Sequence, residues 1–141
     1  MLFRSEIRWY EGEDIEQFRG DRRFKEAYSF CEEAPDVLGV GAVRNGNILG
    51  MAGASADSPI MWQIGINVMP EAEGLGIAKM LVRLLKNEIL SRGIQPFYGT
   101  AISHLASQSV ALGSGFHPAW IEFAAKRITT GASGETEILI T

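Results

Sequence analysis

Residues 68–78 read Val68-Met69-Pro70-Glu71-Ala72-Glu73-Gly74-Leu75-Gly76-Ile77-Ala78, a strand end, a glycine-rich turn and the opening of a helix. Gly74 and Gly76 leave no side chain between the backbone amides and a ligand, and the helix start adds unpaired N–H groups and the positive end of its dipole. A segment of this kind suits an anion, and a pyrophosphate in particular. Two glycines before a helix also serve an ordinary tight turn, so the segment alone does not name its ligand. Two rival phosphate motifs are excluded: there is no Gly-Lys-Ser/Thr, and Lys79 stands where a dinucleotide fold needs its third glycine.

On the C-terminal side, Ile77, Met80, Leu81, Leu84, Leu85 and Ile89 recur at helical spacing as far as Gly93, which predicts an amphipathic helix with one face on a sheet. On the N-terminal side, Met61 to Val68 reads as a strand that Pro70 keeps from extending. Before it, Val37 to Val43 and Ile48 to Ser55 flank Asn45-Gly46, the signal of a tight hairpin, and Asp57-Ser58-Pro59 makes the next turn. These strands form an antiparallel meander. Leu2 to Tyr10 predicts a first strand, Asp14 with Gln17 a capping box opening a short helix, and Phe24, Ala27, Tyr28 and Cys31 a second helix that Pro35 ends. Beyond the long helix, Phe97 to Ile102 is a strand, Ser103 caps a helix to about Ser114, Phe116 to Arg127 is a long strand, and Glu135 to Thr141 pairs with it. The order predicts a single α+β domain over residues 1–141, with a mixed sheet and helices packed on it.

Composition narrows the function classes. The 141 residues are 46% hydrophobic, enough for one core, and 21% charged. The net charge of −4, with no basic block, argues against a nucleic-acid partner. No long apolar run suggests a membrane span, and Met1-Leu2-Phe3-Arg4 lacks the apolar stretch of a secretory signal, so a cytoplasmic location is expected. The single cysteine, Cys31, forms no internal disulfide and no metal-ligand spacing, and is expected to be buried.

The sequence resembles the GNAT superfamily, in which a Val-x-Pro strand end precedes Arg/Gln-x-x-Gly-x-Gly/Ala and a long helix; Glu73, Gly74, Gly76 and Ala78 hold that register. Ser103-His104-Leu105-Ala106-Ser107-Gln108-Ser109-Val110-Ala111, followed by Gly115-Phe116, is similar to the superfamily's second motif. The likeness runs from about Val37 to Phe123, and extends to a subgroup with Trp-x-Ile-Gly before Val-x-Pro, here from Trp62 to Pro70. It implies a mostly antiparallel, splayed sheet with helices on both faces, and an acetyltransferase that uses acetyl-CoA or a related acyl-CoA. It further implies that the backbone of Ile66, Asn67 and Val68 pairs with the pantetheine arm, an N–H near Val68 meeting the thioester carbonyl. The pyrophosphate would lie on Glu73, Gly74, Leu75, Gly76, Ile77, Ala78 and Lys79, with His104 and Ser107 as further cofactor contacts.

Three positions depart from the family pattern. Glu73 replaces the usual basic residue or glutamine and sets a carboxylate near an anion, which Lys79 or Arg83 would have to offset. A tyrosine that many members use to protonate the leaving thiolate falls at Ala111. The strand glutamate that some members carry falls at Trp62.

His104 is then the candidate catalytic base, its plainer reading being a solvated residue in the first turn of a helix. Tyr98 and Glu122 are weighed as reaching the cleft, Trp62 and Trp120 as walls of the acceptor pocket, and Glu32, Glu33 and Asp36 as an acidic cluster attracting an amine. His117 before Pro118 marks a bend. The function expected is direct transfer of an acetyl group to the amine of a small molecule or peptide, since no activated nucleophile accompanies the motifs. The alternatives are a non-catalytic acyl-CoA sensor, or a subdomain that completes a larger assembly or homodimer.

Overall fold

The computed structural model describes residues 5–123 and the backbone of 136–140. Seven strands form one sheet in the order β1-β2-β3-β4-β5-β7-β6: β1 (Glu6–Glu11), β2 (Asp36–Arg44), β3 (Asn47–Ala56), β4 (Met61–Val68), β5 (Gln95–Ala101), β6 (Pro118–Phe123) and β7 (Thr136–Ile140). All neighbours are antiparallel except β4 and β5. Asn45 and Gly46 take φ of 51° and 77°, the left-handed pair that a two-residue hairpin turn requires.

The predicted long helix is α2 (Ile77–Ser91), which crosses one face of the sheet. Its Ile77, Leu81, Val82, Leu85 and Ile89 pack with Leu38, Val40, Ala42, Ala52, Ala54 and Ile64, every second residue of the central strands. Helix α3 (Leu105–Gly113) joins this layer through Ala111 and Val110, next to Phe116. Arg83 and Lys86 of α2 donate to the carbonyls of Gly113 and Ser114, at 2.9 and 2.7 Å. Two cations thus neutralise the C-terminal end of α3 and fix its distance from α2.

The opposite face carries the short helix α1 (Glu13–Glu16), a 3-10 turn at Arg22–Phe24 and a second apolar cluster of Tyr10, Ile15, Phe18, Phe24, Ala27, Tyr28 and Met51. Its geometry differs from the sequence expectation. α1 starts after Gly12 with no side-chain cap, and Gln17 Nε2 donates instead to the Asp14 carbonyl, so there is no capping box. The expected helix through Cys31 is not formed. After the single turn Tyr28 N to Phe24 O, the Asp36 carboxylate accepts from the Phe30 and Ser29 amides at 2.7 and 3.3 Å, and Phe30 takes φ of 51°. This turn also brings Cys31 to the surface, where a buried thiol was expected.

A row of glycines explains how the segment lies. Gly39, Gly53 and Gly65 are direct cross-strand partners on β2, β3 and β4. A Cβ on each would meet the Tyr28 hydroxyl at 1.7 Å, the Ala27 carbonyl oxygen at 2.0 Å and the Glu26 carbonyl oxygen at 1.8 Å. Residues 26–28 therefore run flat across three strands at a distance that only glycine permits. Asn67 Oδ1 anchors the crossing by accepting from the Glu26 and Ala27 amides, both at 2.9 Å.

β6 begins at Pro118, two residues after the predicted start, and the part of that prediction from residue 124 onward lies outside the described residues. β7 pairs with β6 as expected, and it also inserts between β6 and β5.

Candidate active site

The parallel pairing of β4 with β5 runs from Met61 opposite Gln95 to Ile64 opposite Tyr98 and stops there. β4 continues to Val68 and β5 to Ala101, so the two strands part and leave facing edges unpaired. The register shows which groups the fork offers. Met69 N–H donates to the Leu49 carbonyl at 2.8 Å, which makes Gly50 opposite Val68 a non-hydrogen-bonded pair of the antiparallel ladder. Val68, and by alternation Ile66, therefore turn both N–H and C=O toward the vacated edge. Asn67 faces β3 with its backbone, and its side chain holds the Glu26–Ala27 segment. Of the three residues expected to meet the pantetheine arm, two have free backbone groups in the fork and Asn67 has not.

At the open end of the fork, a 3-10 turn at Pro70–Ala72 leads into the glycine loop, where Gly74 and Gly76 have φ of 79° and 75°. No atom lies within 4 Å of a Cβ built on either. The loop borders a cavity of about 490 Å³ lined by Val68, Glu73, Gly74, Gly76, Ile77, Ala78 and Lys79, with Ala106 and Val110 of α3 opposite. Leu75 is exposed at the tip of the loop, and the Ile77 side chain turns into the core. Of the two cations named to offset Glu73, Lys79 lines this cavity, its stem lying against Gly113. Arg83 is engaged with the Gly113 carbonyl.

Where the strands separate, a second cavity of about 280 Å³ is lined by Ile64, Gly65 and Ile66 on β4, Tyr98 to Ala101 on β5, His104 and Ser107 of α3, and Glu26 from the opposite face. A third, of about 220 Å³, lies on that opposite face and shares Glu26, Ile64, Gly65 and Gly99 with the second. Cavities on the two faces of the sheet thus meet at the same residues of the fork. Tyr98 and Ser107 stand toward the α2 and α3 layer and Glu26 on the other face, placed there by the segment lying across the glycine row. Burial raises the Tyr98 phenol above its ordinary range, partly countered by the neighbouring Ser107 hydroxyl; the Glu26 carboxylate pushes it up further.

The remaining candidates are dispersed. His104 borders the fork cavity at the head of α3 without capping it; Gln108 does the tying there, donating to the Ala101 and Ile102 carbonyls at 3.3 and 2.6 Å. Trp62 packs against the main core. Trp120 lies beside Phe97 and donates to Glu122 at 3.1 Å, and these three residues border a separate surface cavity. Asp36 borders the 220 Å³ cavity, where burial pushes its carboxyl up against the pull of the Phe30 and Ser29 amides. Glu32 borders another cavity, with Cys31, and Asp36 lines that one as well. Among the described residues no metal-binding cluster occurs, and no helix is long and apolar enough to cross a membrane. Glu26 is the residue the sequence reading missed. Its signal was indirect: glycines at matched positions in three successive strands, which mark where a chain crosses the sheet.

Residues 4–116 match the model of the acetyltransferase (GNAT) family. Solved structures with the same fold include an IAA acetyltransferase from Bacillus cereus, 19% identical over 97% of each chain with a TM-score of 0.70. A Bacillus subtilis acetyltransferase in complex with CoA is 15% identical over 97% of each chain, with a TM-score of 0.68. A Salmonella typhimurium protein solved with its cofactor acetyl-CoA is 16% identical over 74% of this chain and 63% of its own, with a TM-score of 0.62. No curated relative matches the chain.

Proposed function

The chain belongs to the GNAT acetyltransferase family, and we propose that it transfers the acetyl group of acetyl-CoA directly to a primary amine. The observation that carries this reading is the fork, which joins a glycine loop at the start of a helix, two free backbone edges and cavities on both faces of the sheet. In this reading the loop amides at Gly74 and Gly76, the start of α2 and Lys79 hold the pyrophosphate. Val68 pairs with the pantetheine arm as an added strand would, and Ile66, which borders the inner cavity, meets the thioester carbonyl. Its N–H then points where the oxyanion develops as nitrogen attacks. The amine enters from the opposite face, where Glu26 attracts its cationic form and takes up its proton directly or through water. Holding both reactants at one opening makes the attack effectively unimolecular.

Direct transfer is favoured over a covalent acyl-enzyme because Cys31 lines none of the fork cavities. Initial rates of CoA thiol release, measured with acetyl-CoA varied against several amines, should give intersecting double-reciprocal lines. Parallel lines would contradict direct transfer. Binding of acetyl-CoA without CoA release from any amine would favour the sensor reading, which the missing tyrosine and glutamate at Ala111 and Trp62 had raised.

A further inference from the structure

We infer that the Tyr98 hydroxyl, which lines the fork cavity together with Ser107, is the group that protonates the departing CoA sulfur. The inference rests on the acetyl-CoA reading above and deepens it.

The path of the donor fixes where the sulfur must lie. With the pyrophosphate at the glycine loop and the arm along Val68 and Ile66, the thioester reaches the level at which β4 and β5 come together, Ile64 opposite Tyr98. Tyr98 is the last residue of β5 paired with β4 and borders the cavity there with Ile64, Ile66 and Ser107. Its ring is fixed on one side by Phe116, with centroids 6.1 Å apart, so the hydroxyl has little freedom to turn away. The phenol shares the α2 and α3 layer with the arm, whereas Glu26 lies on the amine side. The family's helix position for this function holds Ala111, which is fully buried and carries no proton to give. Tyr98 belongs to the same apolar cluster as Ala111 and borders the fork cavity from the strand.

The chemistry balances. The amine lone pair forms the C–N bond, one N–H proton leaves through Glu26 or water, and the C–S bond breaks with its electron pair on sulfur. The phenol proton passes to sulfur, giving free CoA thiol, and the phenolate regains a proton from water across the Ser107 hydroxyl. Burial keeps the phenol protonated through neutral and mildly alkaline pH, so it serves as donor and not as base.

The test uses the full chain with Tyr98→Phe and Ser107→Ala, read in two ways. Tyr98→Phe should lower kcat about 100-fold, the usual scale of a lost proton donor, with the acetyl-CoA dissociation constant essentially unchanged in calorimetry. Ser107→Ala should lower kcat by less. Independently of any amine, the thiol of bound CoA, followed by thiolate absorbance, should be roughly tenfold less acidic in Tyr98→Phe, because a donor to sulfur favours the thiolate. A variant that binds acetyl-CoA normally and leaves the thiol titration unmoved overturns the inference, even if kcat falls, since the ring would then be a packing residue. Failure of the wild-type protein to bind CoA would overturn the acetyl-CoA reading and this inference together.

Discussion

Ile66→Pro is expected to lower kcat by about 100-fold or more while leaving acetyl-CoA binding largely intact, the loss typical of removing one oxyanion donor. The substitution is unusually clean because of the ladder register. Ile66 lies opposite Ala52 in a non-hydrogen-bonded pair, so its N–H makes no bond to β3, and proline removes a donor that the sheet does not use. Val68→Pro removes the corresponding N–H two residues nearer the glycine loop. Its expected effect is the reverse in kind, a higher KM for acetyl-CoA with kcat less affected, because that N–H pairs with the arm and not with the reacting carbonyl. Steady-state kinetics on the two variants, with calorimetric binding constants beside them, checks the assignment. Equal effects on kcat in both would show that the carbonyl is not read at Ile66.

Gly65→Ala is the second large effect expected, this time on stability. One added methyl would fall 1.8 Å from the Glu26 carbonyl oxygen and 2.7 Å from its carbon. Both are backbone atoms, so no rotamer change relieves the contact, and residues 26–28 must lift from the sheet. That movement would also disturb the two bonds to Asn67 Oδ1. Overpacking on this scale costs about 2–3 kcal/mol and should lower the melting temperature by roughly 5–10 °C. Lifting Glu26 should also raise the KM for the amine more than that for acetyl-CoA. A Gly65→Ala protein that melts with the wild type would contradict the close crossing.

The face carrying α2 could be read from the sequence because its signals are periodic and local. Alternating strand residues, helical spacing from Ile77 to Ile89 and Asn45-Gly46 each act over a few residues, and the structure places those elements within a few residues of the reading. The opposite face was misread because long-range contacts decide it. Phe24, Ala27, Tyr28 and Cys31 have helical spacing, but the Asp36 carboxylate captures the Ser29 and Phe30 amides, and the glycine row admits a flat chain where a helix would not fit. Gly65 lies too far along the chain for any window containing Tyr28 to register it, and Asp36, although within such a window, acts through a turn that helical spacing does not signal.

The site divided in the same way. The glycine loop announced itself through its own residues, whereas the fork required knowing that the β4–β5 ladder stops at Ile64 and Tyr98. The direction of each backbone N–H follows from ladder phase, which set Ile66 and Val68 apart from Asn67. Glu26 stayed hidden because it is an exposed acid in an irregular segment, a type of residue that is usually only solvated.

The central claim, that the fork and its glycine loop take acetyl-CoA, is tested most directly by calorimetric titration of the wild-type chain and Glu73→Gln with acetyl-CoA. Saturable binding of one acetyl-CoA per chain is expected, tighter in the variant at low salt, because the carboxylate beside the pyrophosphate is gone and Lys79 remains. No binding heat from either protein at millimolar acetyl-CoA would contradict it and leave the glycine loop as a turn alone.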